Sequence, residues 1–388
     1  MIAMTMMVRD EADIVGAMIQ YHLDQGVDLF LVTDNGSVDG TTRILEDFAR
    51  DGRIELAHDP RHEKQQHEVV TRMSREAARR GAQWVLNADA DEFWSAVDPS
   101  RTIAEELADL DPAIGAFEVP VIDMTGAPAR RGTGLQRLVY RDLRPDDVMA
   151  GLGVHAHSTP DVAFVPNQTV EVAQGNHFVS VPANGRVPDG RGLVVHHYPW
   201  RSWSQFCRKV ENAGRAYEAS PHLRPSANHH GMRDYRRLQD GVLSASYVAR
   251  HPSPEQLAEG LANGWFVEDR RIADRISSPV ADEEIPESEA QADRQLMRRL
   301  APLEQRLQSV EAARRQAADD LDFRLRHVAE LDALIARLRA DNAESETARR
   351  ACADELEELR AQHRIELERT LDHRLRSGVD RVRRRLFR

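Results

Sequence analysis

Asp89 and Asp91 are separated by one residue in the stretch Asn87-Ala88-Asp89-Ala90-Asp91-Glu92-Phe93. Where such a stretch leaves an extended strand, residues two apart point to the same side. Two carboxylates held together cost free energy unless a cation lies between them. Hard oxygen ligands suit Mn2+ or Mg2+, ions that keep water and take phosphate oxygens as further ligands. The chemistry that follows is a metal–diphosphate site; a solvated loop or a helix cap is the alternative use of the same residues. A second cluster, Asp34-Asn35-Gly36-Ser37-Val38-Asp39-Gly40, offers short acceptors in a tight turn. Asp34 can accept from a base or ribose there, and Gly36 and Gly40 permit close backbone approach. A plain turn capped by Asp39 or Thr41 is the competing use. A third group, Arg9-Asp10-Glu11, sets one cation beside two acids. The fourth is His196-His197-Tyr198, followed by Arg201 and Lys209. A neutral imidazole can complete a metal shell, and the two cations can neutralise a diphosphate. With 16 histidines in the chain, a structural or solvated imidazole competes with that role.

These groups need a scaffold that presents them along one edge. Residues 2–8, 29–32, 54–56 and 84–88 read as apolar strands, the last running into the acidic cluster. Residues 13–24, 41–50 and 67–80 read as helices; Ile14, Val15, Met18, Ile19 and Leu23 recur at helical spacing. Gly52 and Gly81 stop the second and third. Alternating strands and helices predict an α/β domain with a mainly parallel sheet flanked by helices. Ligands of such sheets bind beyond the carboxyl ends of the strands, where the clusters at 34–40 and 89–92 fall. Residues 113–200 add strand-like pieces between Gly/Pro-rich loops and complete the same domain. Residues 203–219 read as a helix, and 221–290 as a mixed segment with an acidic linker from 279.

Beyond Leu296 the pattern changes. Leu300, Leu303, Leu307, Val310, Ala317, Leu321, Val328, Leu331, Ile335 and Leu338 keep to a heptad seam, continued by Cys352, Leu356 and Leu359. Arg314, Arg324, Asn342 and Arg349 interrupt it. A long α-helical coiled coil is predicted, and through it a homo-oligomer; one long solvated helix or a disordered tail is the alternative. The basic end, residues 380–388, can touch anionic lipid or an acidic partner, or be a solvated helix end.

A net charge of −12 argues against nucleic-acid binding, which rests on neutralising phosphates. The two cysteines, Cys207 and Cys352, have no metal-type spacing and suit a reducing compartment, so a cytoplasmic protein is expected. The first eight residues are apolar, but Arg9, Asp10 and Glu11 follow at once and no basic residue precedes them, unlike a signal peptide. No uncharged run reaches membrane-spanning length, which leaves peripheral contact with the inner face as the expected membrane role.

Taken in order, the motifs resemble the family 2-type glycosyltransferases of GT-A fold, and more narrowly their family 92-like subgroup. The residues that carry the resemblance are Arg9-Asp10-Glu11, Tyr21-His22, Gly26-Val27, Asp34-Asn35-Gly36-Ser37-Val38-Asp39-Gly40, Trp84 with Asp89-Ala90-Asp91-Glu92-Phe93, and His197-Tyr198 with Ser202, Phe206 and Lys209. They span roughly residues 1–215. The resemblance implies a nucleotide-sugar donor, a glycan or lipid-linked acceptor, and inversion at the anomeric carbon. It implies that Asp34 contacts the base or ribose, and that Arg9, Glu11, Asn35, Ser37 and Asp39 belong to the nucleotide pocket. Asp89 and Asp91 would hold the ion against the diphosphate, Asp91 the more directly, with His197 closing the shell. Asp10 departs from the usual Asn, a change expected to alter donor preference, and Asn87 replaces a common Asp or small residue.

An inverting transfer needs a carboxylate to deprotonate the acceptor. Asp123, in Val121-Ile122-Asp123-Met124, is expected after a strand at a suitable distance and is the candidate base; Glu171 is another, and a capping role is open for either. The expected division is a glycosyltransferase domain at 1–215, an extension and acidic linker at 216–290, a coiled coil at 291–375 and a basic tail at 376–388. A nucleotidyltransferase would bring a Gly-rich, Lys-containing loop near the N-terminus, which is missing. An assembly protein with a relic domain would not need Asp89 and Asp91.

Overall fold

The computed structural model describes residues 1–61, 65–218 and 230–386. They divide into two compact units, Met1–Gln308 and Ser309–Arg388. The first unit begins with β1 (Ile2–Val8), α1 (Val15–Asp24), β2 (Leu29–Asp34), α2 (Thr41–Arg50), β3 (Glu55–His58), α3 (Gln66–Arg79) and β4 (Trp84–Asn87). Each lies within two residues of its expected bounds, because apolar periodicity and Gly stops are local signals. It continues with β5 (Glu92–Ala96), α4 (Ile103–Ala108), β6 (Ala116–Val119), β7 (Val121–Thr125), β8 (Ala129–Arg131), β9 (Tyr140–Asp142), α5 (Asp146–Gly151), β10 (Asp161–Phe164) and β11 (Leu193–His197). Then come α6 (Trp203–Glu218), α7 (His230–Gln239), α8 (Leu243–Arg250), α9 (Pro254–Asn263), β12 (Phe266–Glu268), β13 (Glu283–Glu284) and α10 (Glu287–Leu386), which runs into the second unit.

The main sheet has the order β3-β2-β1-β4-β10-β6. β3, β2, β1 and β4 are parallel; β10 runs antiparallel between β4 and β6. Strand alternation gives β1 two buried faces. Met4, Met6 and Val8 pack with Met18 and Ile19 of α1 and Leu45 of α2. Ala3 lies in the other layer, with Val69, Val70, Met73 and Ala77 of α3. A second sheet, β12-β9-β7-β11-β5, brings β11 between β5 and β7. Gly26 (φ +89°) turns α1 into β2 so closely that an added Cβ would stand 2.5 Å from Ala104 Cβ.

Two boundaries differ from the expected ones. The stretch from 279 is not a free acidic linker: β13 pairs with β8, and Asp282 accepts from Gly134 N at 2.9 Å beside Arg137. Its acids are held by cations and backbone donors that sequence separation hides. The first unit also extends past residue 291. Met297 and Ala301 are buried against Met149, Val154, Ala245 and Ala249, and Glu304 pairs with Arg237. Within the expected 216–290 extension, residues 219–229 lie outside those described. Along the expected basic tail α10 continues to Leu386, and Phe387 and Arg388 lie outside the described residues. Among the described residues no helix is long and apolar enough to cross a membrane.

Candidate active site

Strand order reverses between β1 and β4, since β2 and β3 lie on one side of β1 and β4 on the other. Such a switch point opens a crevice at the strands' carboxyl ends. Register fixes what reaches it: Thr5 pairs with Asn87 and Val8 with Asp34. Arg9, Glu11, Asn35 and Asp89 to Asp91 therefore emerge at the same edge. They wall a cavity of about 210 Å³, together with Gln65 and Gln66 at the start of α3, Gln174, and Lys209 and Asn212 on α6.

Asp91 is 2% exposed and surrounded by positive groups. Lys209 Nζ donates to Oδ2 at 2.5 Å, Arg201 Nη1 stands at 3.6 Å and His197 Nε2 at 3.8 Å. Burial opposes its charge, but Lys209, His197 and Arg201 hold the carboxyl well below the usual range. Tyr198 N–H donates to the Asp91 carbonyl at 2.9 Å, which ties the end of β11 to the acidic turn. Asp89 is balanced differently. Its Oδ1 accepts from Gln66 Nε2 at 2.9 Å and Asn176 Nδ2 at 3.2 Å, both neutral. Burial and the neighbouring Asp91 raise its pKa to about 6. Glu11 is raised to about 7, chiefly by burial, although Arg201 works against the shift. Arg201 is 0% exposed and is committed to Glu11 and Asp13, so it holds the floor of the site. Lys209, 41% exposed and paired with Asp91, lines the cavity together with Arg9.

His197 pairs in register with Asp123 across β7 and β11. Asp123 Oδ1 accepts from His197 Nδ1 at 2.9 Å and from Ser158 Oγ at 2.8 Å. The carboxylate thereby fixes the tautomer that turns Nε2 toward Asp91. Burial opposes charge on the imidazole, but the Asp123 hydrogen bond and the charge of Asp91 raise its pKa. Asp123 also faces His157 Nδ1 at 3.7 Å. Burial works against its charge too, yet His157, His197 and Ser158 hold it well below the usual range. It lies within β7, not after a strand as expected, and is 1% exposed. A carboxylate so enclosed has no open oxygen to offer an acceptor. Glu171 is exposed and paired with Arg75, away from this cavity.

The turn after β2 is built, not open. Asp34 Oδ1 accepts from Ser37 N at 3.0 Å and Ser37 Oγ at 2.6 Å, and Oδ2 from Thr42 Oγ1 at 2.6 Å. Asp39 accepts from Thr41 and from Ala12 N at 3.1 Å. Asp34, Ser37 and Asp39 therefore shape the cavity edge, while Asn35 lines it. Asp10, at φ 56°, takes Val38 N and Asn212 Nδ2, each at 2.7 Å, and staples β1 to the turn and to α6. It does not line the cavity, so the expected effect on donor preference has no direct contact behind it. Asn87 accepts from Thr5 Oγ1 at 2.6 Å and Ser74 Oγ at 3.1 Å inside the core.

Sequence reasoning missed the amides. Gln65, Gln66, Gln174 and Asn176 belong to no motif, and only Asn212, one turn after Lys209 on the same helix face, was within reach of a spacing argument. Among the described residues Gln65 Oε1 and Asn176 Oδ1 are buried acceptors without a hydrogen-bond partner. Among the described residues no three His, Cys, Asp or Glu side chains form a closed metal cluster. Two carboxylates facing a cavity, with His197 behind Asp91, fit an ion completed by phosphate oxygens and water, and not one enclosed by protein.

The fold is α/β, a mainly parallel sheet with its switch point at β1, ending in a polar cavity with paired acids. Residues 2–112 match the model of glycosyltransferase family 92. No curated protein matches the chain. Among solved structures it is similar to S. aureus TarS, at 10% identity and a TM-score of 0.30, covering 55% of this chain and 39% of that one. For TarS 1–349 in complex with UDP the values are 10%, 0.32, 55% and 65%. A 4-diphosphocytidyl-2C-methyl-D-erythritol synthase matches at 15% identity and a TM-score of 0.21, over 34% of this chain and 64% of that one. The chain thus spans less than two thirds of each of these structures.

Proposed function

We propose that this glycosyltransferase moves a sugar from a nucleotide-diphosphate sugar to an acceptor hydroxyl on a glycan or lipid-linked chain, with Mn2+ or Mg2+ at Asp89 and Asp91. The observation that carries this is the switch-point cavity, where two carboxylates and Lys209 face one space. A divalent ion held by Asp89 and Asp91 would supply Lewis-acid stabilisation of the departing diphosphate. Lys209 adds a second positive charge to the same leaving group. His197, held by Asp123, presents Nε2 to Asp91 and would join it in holding the ion, so Asp123 is a positioning residue and not the base. Gln65 Oε1 offers an unused acceptor to a donor hydroxyl or N–H. Inversion rests on the family resemblance, and a cytoplasmic setting on the two free thiols, Cys207 and Cys352. Calorimetry with UDP and GDP, with and without Mn2+, tests the reading. Metal-dependent binding of a nucleotide is the expected result; no binding of either with Mn2+ present would sink it.

A further inference from the structure

The second unit is one helix whose apolar seam is exposed and has no partner among the described residues. Val310 is 65% exposed, Val328 53%, Ile335 45% and Leu356 49%. A stripe of that length on an exposed helix marks a binding face. Seven-residue spacing assigns Leu321, Val328, Ile335, Asn342 and Leu356 to the a positions. Val310, Ala317, Leu331, Leu338, Cys352 and Leu359 fall at d.

We infer that the occupant is a second copy of the chain, parallel and in register, in a two-stranded coiled coil. Three observations converge on it. In the best-defined heptads the a residues are β-branched, Val328 and Ile335, and the d residues are Leu331 and Leu338, the combination that favours two parallel strands. Asn342 occupies the next a position, where a polar residue specifies register and strand number. Parallel in-register alignment also sets each apolar residue against its own copy and confines Arg314, Arg324, Asn342, Ser345 and Arg349 to their own layers. An antiparallel overlap that keeps Val328 against Leu338 instead sets Leu321 against Ser345, Ala317 against Arg349 and Arg314 against Cys352. That scatters polar groups through the apolar layers. Among flanking charges, Glu355 meets Arg360 of the second copy, against one like-charged pair, Asp341 with Glu346, so the polar layers and not the flanking charges set the alignment. The two catalytic units then join the coil at the same end. This assembly stands independently of the glycosyl-transfer reading.

Cys352 makes the alignment testable, because facing d positions in register lie within disulfide reach. The full chain carrying Cys207→Ser is measured by light scattering, then oxidised with copper phenanthroline and run on a non-reducing gel. A mass of two chains with a covalent dimer that disappears in Cys352→Ser is the expected result. A two-chain mass without the crosslink overturns the parallel register, and a monomer or a higher oligomer overturns the two-stranded state. Asn342→Leu should raise the mass above two chains or broaden it. An unchanged dimer would remove Asn342 from the specifying role.

Discussion

Asp91 carries its charge inside a ring formed by Lys209, Arg201 and His197, so removing the carboxylate leaves three positive groups facing one another. Asp91→Asn is expected to abolish transfer and metal-dependent nucleotide binding with the circular dichroism spectrum unchanged; retained transfer would remove Asp91 from the ion's site. Asp123 acts through His197. Asp123→Ala should lower turnover by roughly 10- to 100-fold, the usual cost of losing such an orienting carboxylate. A cycle with His197→Gln should show coupling of about 0.5–3 kcal/mol, because both changes remove one device. Additive losses would instead return Asp123 to an independent role. His22 gives a pH prediction. It is fully buried, bonds Met18 O through Nδ1 and accepts from Trp94 N at Nε2, so the neutral ring is required. Burial lowers its pKa from 6.5 to about 4. The unfolded chain therefore takes a proton first as pH falls. Stability from this group is complete above 6.5 and is lost on the way down to about 4, by ~2 kcal/mol between pH 7.5 and 5. Urea melts of His22→Gln at both values should lack that component.

At the scale of elements, the site depends on how tightly α1, α4 and β2 meet. Gly26 combines a positive φ with a Cβ position blocked by Ala104, whereas Gly52 has positive φ and open space. Gly26→Ala should therefore destabilise clearly more than Gly52→Ala, which bears only the conformational cost of about 1 kcal/mol. Equal melting shifts would mean that the neighbouring helix yields. α6 has a different part. One face supplies Lys209 and Asn212 to the cavity, and Phe206 and Val210 pack against Leu243, Tyr247 and Val248 of α8. The buried contact fixes the reach of the lysine, which no propensity of the helix itself would do.

For the molecule as a whole, the informative distinction is where the catalytic unit ends. Truncation after Gln308 should leave nucleotide binding and the melting temperature close to those of the full chain. Truncation after Ala290 removes Met297 and Ala301 from a core cluster and strips the Arg294 bonds to the Val248 and His251 carbonyls. That shorter form should unfold at lower temperature or aggregate. Equal stability of the two would shift the boundary back to the expected one.

The sequence by itself determined the order of strands and helices through residue 88, the acidic pair at the edge of the sheet and the heptad seam. All three rest on local spacing, where neighbours in the chain are neighbours in space. It left Asp34 and Asp39 open between ligand groups and a plain turn, because an Asx turn and a binding turn use the same residues; the hydrogen bonds from Ser37, Thr41 and Thr42 show how the turn is built. Tertiary structure alone decided the rest. β7 and β11 lie far apart in the chain, and their pairing turned Asp123 from a candidate base into the partner of His197. The amide wall came from α3 and the loop after β10, where no period marks a residue as facing a cavity. The charge on Asp91 depends on Lys209, 118 residues away, since ion pairing follows distance in space and leaves no trace in spacing.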